Sequence, residues 1–278
     1  SISREASGKL GGFKPQELSN LAWALAKLAL EDRALFGRVA REASAKLGEF
    51  KPQESANLVW ALAVSDLQDA GLYRAVAQEA LGKLAAFKPQ ELSNLAWAFA
   101  DVSFHDLDLF GRLADAAVAK LGALNPQDLS NLAWASAKLR AVESAALRRI
   151  VQEAERKLVA QGEQFAPQAL SSLAWAVATI GISTPSLYQA MVREVTPRIV
   201  EFKPQEMSNL VWAVATASVG GVDELLNSVS RAIAARMLEC KPQEVSNVAW
   251  AFATLGTHDA ELFAGIAKQT VDQASRFE

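Results

Sequence analysis

The stretch FKPQELSNLAWALAKL, Phe13 to Leu28, decides the fold, because the chain restates it six more times. Every tryptophan marks a copy: Trp23, Trp60, Trp97, Trp134, Trp175, Trp212 and Trp250 stand 37, 37, 37, 41, 37 and 38 residues apart. A period of that length is the mark of stacked helical units that bury their apolar faces against their neighbours. The motif also carries its own start signal. Proline is favoured at the first helical position, where its missing N–H would be unpaired anyway, so a helix is predicted from Pro15. Phe13 is placed to staple onto Leu18, and Glu17 falls at the third helical position, where a carboxylate meets the helix dipole.

A second helix is predicted in each unit after Asp32, Asp69, Asp106, Ser144, Thr184 and Asp259, good N-cap side chains followed three residues later by leucine. Copy six departs, with Val222 in the cap slot before Leu225. The expected architecture is all-α: an α-solenoid of about seven helix-turn-helix repeats of 37–38 residues, with a right-handed superhelix expected. It is read as one continuous array over residues 1–278, with a partial repeat at 1–12 and repeats starting near Phe13, Phe50, Phe87, Leu124, Phe165, Phe202 and Cys240. REASGKLGGFKPQEL from Arg4 matches REASAKLGEFKPQES from Arg41, and the chain stops at about Phe277, where the next copy would begin. An internal piece of a longer protein is therefore expected. The unit before copy five is lengthened, mostly within Val159 to Ala166, and a break in repeat regularity is expected there.

Composition narrows the function classes. The chain is 51% hydrophobic, and 28 Lys plus Arg against 31 Asp plus Glu give a net charge of −3, so no global field draws it to polyanions. Any nucleic-acid contact has to be local. Cys240 occupies the slot of Phe13 and Phe50 and reads as a small buried hydrophobe. His105 and His258 lie in equivalent turns of different repeats, and no HExxH, paired CxxC, phosphate loop or GxSxG element occurs. A non-enzymatic protein is expected, with no catalytic residue, metal, cofactor or small-molecule substrate assigned. No apolar run is long enough for a membrane span.

Projecting the first helix at about 100° per residue sorts its faces. Leu18, Leu21, Leu25 and Leu28 form an apolar stripe toward the second helix of the unit, and Ser19, Ala22 and Ala26 are small enough to admit a neighbouring helix. The remaining sector is polar and repeats as three rows. One is Gln16, Gln53, Gln90, Gln127, Gln168, Gln205 and Gln243; the next is Asn20, Asn57, Asn94, Asn131, Ser172, Asn209 and Asn247. The third changes from unit to unit: Lys27, Val64, Asp101, Lys138, Thr179, Thr216 and Thr254. Uniform rows suit a repeated ligand feature such as a backbone, and only the variable row is able to carry a code. Each has a plainer reading too. The Asn row would serve equally as a ladder of bonds to the next repeat, and the variable row as drifting solvated positions. For the tryptophans, which border the strip, filling space between units is the stronger reading over base stacking. Arg33, Arg38, Arg41, Arg148, Arg149 and Arg156 on second helices read as a solvated outer face.

The motif PQELSNLAWALAKL at this period resembles the octotricopeptide repeats of algal organelles and the similar heptatricopeptide repeats of apicomplexan and dinoflagellate organelles. The resemblance runs from Arg4 to Phe277. It implies an α-solenoid that binds single-stranded RNA at about one base per repeat, in organellar RNA processing, stability, translation or ribosome assembly. It also implies a mitochondrial or plastid location and possible ribosomal or other organellar protein partners. The alternative is a scaffold that binds an extended peptide or serves as a structural subunit of a large assembly.

Overall fold

In the computed structural model, residues 10–30, 32–140, 145–160, 165–182 and 185–274 are described. Among them the chain is all-α, an α-solenoid of first and second helices in alternation. The first helices are α1 (Pro15–Lys27), α3 (Pro52–Val64), α5 (Pro89–Asp101), α7 (Pro126–Lys138), α9 (Pro167–Ile180), α11 (Pro204–Thr216) and α13 (Pro242–Thr254). The second helices are α2 (Arg33–Ser44), α4 (Ala70–Leu81), α6 (Leu107–Val118), α8 (Ala145–Val159), α10 (Pro185–Val195), α12 (Asp223–Ala235) and α14 (Ala260–Ala274). The chain divides into two compact units, residues 1–150 and 151–278. In the first, α1, α3, α5 and α7 pack in series; in the second, α9, α11 and α13 do.

All seven first helices begin at proline, as the motif requires. The residue two places before it sits at the staple position: Phe50, Phe87, Leu124, Phe165, Phe202 and Cys240 are buried. Burial in apolar surroundings pushes the Cys240 thiol up to about 11, so it is an inert core group. The carboxylate at the third position turns back to the cap. Glu17, Glu54, Glu91, Glu206 and Glu244 accept the backbone N–H of Lys14, Lys51, Lys88, Lys203 and Lys241 at 2.7–2.8 Å. In α7 the box is reciprocal, with Asn125 and Asp128 each accepting the other's backbone N–H. Second helices are capped where aspartate was expected: Asp32, Asp69, Asp106 and Asp259 accept from Leu35, Leu72, Leu109 and Leu262. Ser144 and Thr184 lie outside the described residues, and Val222 offers α12 no side-chain cap.

The first helices make the closest contacts because their facing residues are small. Ala22, Ala61, Ala98, Ala135, Ala176 and Ala213 are fully buried, which lets neighbouring backbones approach. One expectation is corrected. Leu28 is 69% exposed, because it is the C-cap of α1 rather than a continuation of the Leu18 stripe. The lengthened repeat before copy five spends part of its extra length on α8, which has 15 residues where α2, α4 and α6 have 12. Residues 161–164, in the rest of that connection, lie outside the described residues.

Two recurrent devices were not anticipated from the sequence. The first closes the first helices. In α1 the N–H of Leu30 bonds the carbonyl of Leu25 and that of Ala29 bonds Ala26, and the outer bond recurs as Leu67 to Leu62, Phe104 to Phe99, Val219 to Val214 and Thr257 to Phe252. This closure puts one residue in the left-handed region. It is glycine in copies five and seven (Gly181, Gly256), but Ala29, Asp66, Ser103, Arg140 and Ser218 elsewhere, at φ of 48–56°. A β-carbon there costs about 1–2 kcal/mol, partly offset by the greater unfolded-state freedom of glycine. Ser103→Gly is therefore expected to raise stability by about 0.5–1 kcal/mol, read as a higher urea midpoint at unchanged slope.

The second device ties repeats together. Lys46 donates to the carbonyls of Gly11 and Phe13 at 2.8 and 2.7 Å, Lys83 to Phe50 at 3.0 Å, Lys120 to Ala85 at 3.0 Å and Arg236 to Phe202 at 2.7 Å. In each of these cases a cation from the following repeat satisfies a carbonyl of the preceding repeat within the same unit. The signal was available as a Lys or Arg four residues before the staple position.

Candidate nucleic-acid interface

Because consecutive first helices lie side by side within each unit, their polar sectors adjoin and the rows become real surface features. The Gln row is exposed apart from Gln127, which is half-buried. The Asn row is half-buried, with Asn20 at the array's edge exposed, and Ser172 is half-buried in its place. Gln127 Nε2 donates to Asn131 Oδ1 at 2.8 Å, which puts these two rows on one face. Among the described residues no Asn of the row is seen to bond the backbone of a neighbouring repeat.

The tryptophans meet one another between successive repeats in two places, yet they are less covered than core residues. Trp23 and Trp250 are 43% and 45% exposed, and Trp60, Trp97, Trp134, Trp175 and Trp212 are half-buried. Within each unit, a pair of indoles from successive repeats meets. Trp97 and Trp134 stack with centroids 6.0 Å apart and planes 25° apart, and Trp212 and Trp250 lie 6.4 Å apart at 33°. Helical geometry explains this. Trp23 stands one residue past the buried Ala22 and two before the buried Leu25, at the rim of the apolar sector.

The variable row runs beside the indoles. Lys27, Val64, Thr179, Thr216 and Thr254 are exposed, and Asp101 and Lys138 half-buried. Its charged members engage neighbours across repeats. Lys27 Nζ lies 5.6 Å from the Trp23 ring and 5.1 Å from that of Trp60. Lys138 Nζ lies 4.8 Å from the Trp134 ring and 3.2 Å from Asp101 Oδ1, and also donates to the Asp101 carbonyl at 3.1 Å. Cation–π contacts of this kind fix the ammonium over the indole.

Charge on this face is ordered in a way that net charge conceals. Lys14, Lys51, Lys88, Lys203 and Lys241 are exposed at the N-caps, beside the Gln row. The helix carboxylates are turned in toward backbone N–H groups, leaving the ammonium heads as the outer edge. Beneath it, Ser93 Oγ donates to Asp128 Oδ1 at 2.7 Å, a buried bond between repeats. Burial pushes the Asp128 carboxyl above its usual range, against the hydrogen bonds from Ser93 and Asn125 that pull it down.

The second helices carry the solvated charge expected of an outer face. Arg33, Arg38, Arg41, Arg148, Arg149 and Arg156 are all exposed. His105 and His258 are exposed in their turns and lie in different units. Among the described residues no cluster of His, Cys, Asp or Glu is arranged to hold a metal, and no helix is long and apolar enough to cross a membrane.

A family model described as RESC8, RNA-editing substrate-binding complex 8 protein, matches residues 9–277. No curated protein matches the chain.

Proposed function

Because the chain belongs to the RESC8 family, we propose that its first-helix face binds single-stranded RNA, as part of an RNA-editing substrate-binding complex. Bases stack against the tryptophan row, the backbone runs along the Gln and Asn rows and the N-cap lysines, and the variable row discriminates among bases. The observation that carries this reading is the row of exposed and half-buried indoles beside the Gln and Asn rows, on first helices that pack in series within each unit. Single-stranded RNA is recognised by such means, through aromatic stacking and hydrogen bonds to base edges. The likeness to octotricopeptide and heptatricopeptide repeats supports about one base per repeat, so the first unit would engage four bases and the second three. No catalytic role is proposed for the chain. Its compartment is proposed as the mitochondrion rather than the plastid, since the RNA-editing family is associated with mitochondria.

The test is retention of a random single-stranded RNA pool by the chain at two salt concentrations, followed by sequencing of the bound fraction. An enriched motif with affinity falling as salt rises is the expected result. No retention above a mock protein at low salt would sink the RNA reading in favour of a protein-binding scaffold. Lys27→Glu is expected to weaken binding or shift its preference, and to reduce the salt slope by about one where the lost contact is to phosphate. Unchanged affinity and preference after both Lys27→Glu and Lys138→Glu would remove the variable row from recognition.

A further inference from the structure

We infer that the Asp101–Lys138 pair makes the junction of the third and fourth repeats selective for guanine, an inference that rests on the RNA reading above. These are the only oppositely charged neighbours in the variable row, and in the structure they are not independent positions. Lys138 Nζ reaches back across the repeat boundary to Asp101 Oδ1 at 3.2 Å and to the Asp101 carbonyl at 3.1 Å. Both side chains remain about one-third exposed, at 31% for Lys138 and 33% for Asp101. One helical turn before each stands an indole, Trp97 and Trp134, and these two are the stacked pair. Since Lys138 already covers the Trp134 ring, it is a base laid on Trp97 that would bring its edge to the carboxylate and the ammonium together.

The chemistry of that edge selects among the four bases. An ionised carboxylate is acceptor-only, with about four lone-pair sites, and Lys138 occupies one of those on Asp101. The ammonium has three N–H groups and places two on Asp101, so one is left beside the carboxylate. The site therefore offers two adjacent acceptors and a donor. Guanine alone presents two adjacent donors, N1–H and N2–H, followed by the acceptor O6. Adenine, cytosine and uracil each present a single donor position on that edge, which leaves one carboxylate oxygen facing a lone pair or water. A site built to accept from polar groups rejects analogues that lack them, because its own groups are then left unpaired. The pairing also holds both side chains in place before ligand arrives, with the ammonium over Trp134, which lowers the ordering cost of recognition.

The other repeats lack this arrangement. Thr179, Thr216 and Thr254 offer a hydroxyl that both donates and accepts, and Val64 offers neither. The guanine preference should thus be confined to one position of the bound RNA.

The experiment is selection from a randomised single-stranded RNA pool with the wild-type chain, Asp101→Asn and Asp101→Thr, sequencing each bound fraction. Threonine is what the last three repeats carry at this site, so Asp101→Thr keeps a side chain the fold already uses. Wild type is expected to enrich guanine about tenfold at one position of its motif. Both variants should lose that enrichment while keeping the remainder of the motif, an outcome that general destabilisation would not produce. A motif without a single-position guanine preference, or one that survives in both variants, overturns the inference and leaves the RNA reading standing. Failure of the wild type to retain RNA overturns both.

Discussion

Phe87→Ala is expected to cost the first unit about 3–5 kcal/mol, the range for truncating a fully buried phenylalanine. Phe87 has no solvent exposure, and neither has Leu92 at the matching staple position of α5. The side chain sits where the chain turns from the short helical segment Leu84–Ala86 into α5, and the Phe87 N–H closes that turn on Leu84. Truncation leaves a cavity at the entry of a central helix that packs on both α3 and α7, so collapse around it is limited on two sides. Since repeat stability is the sum of unit and neighbour terms, the loss should spread to the flanking repeats. Urea unfolding followed by tryptophan fluorescence measures it. A loss below about 1 kcal/mol would mean that the staple only shapes the turn and does not hold the repeat.

Trp97→Ala and Trp134→Ala are expected to weaken RNA binding by about 1–3 kcal/mol each, the range for removing one aromatic platform under a base. Packing logic alone places the damage in stability. The proposed RNA reading moves it to the ligand, because both indoles are only half-buried and stack on each other. Their stability cost should stay clearly below that of Phe87→Ala. The comparison to make is binding of the selected RNA by each variant at a temperature where its helical signal equals that of wild type. Trp97→Phe keeps a π face and should recover part of the affinity. If alanine variants bind like wild type while melting as early as Phe87→Ala, the tryptophans are packing residues after all.

Much of this protein is written locally. Pro15 at the first helical position, Glu17 two residues on and Phe13 two residues before are neighbours in sequence, so their joint effect on the helix start needs no distant partner. The same holds for Asp69 and Leu72 at the start of α4. Repetition then makes the fold class legible, because a motif that recurs every 37 or 38 residues meets copies of itself as neighbours. The three rows follow from helical periodicity, and all of their described members prove accessible to some degree.

What periodicity does not settle is how far each border residue is covered, since that depends on the partner helix. Leu28 looked like the fourth member of an apolar stripe and is exposed, because α1 ends one residue before it. Trp23 and its equivalents looked like filler between repeats and are only partly covered, because small residues such as Ala61 and Ala98 already bring the helices close. The bond from Lys83 to the Phe50 carbonyl spans 33 residues and exists only once the next repeat has stacked. The Asp101–Lys138 pair spans 37. Sequence alone therefore determined the helices, their caps and the existence of a repeated face, all set by contacts within a few residues. Tertiary structure decided which side chains that face leaves open and which it pairs, because coverage and pairing across repeats are created by stacking.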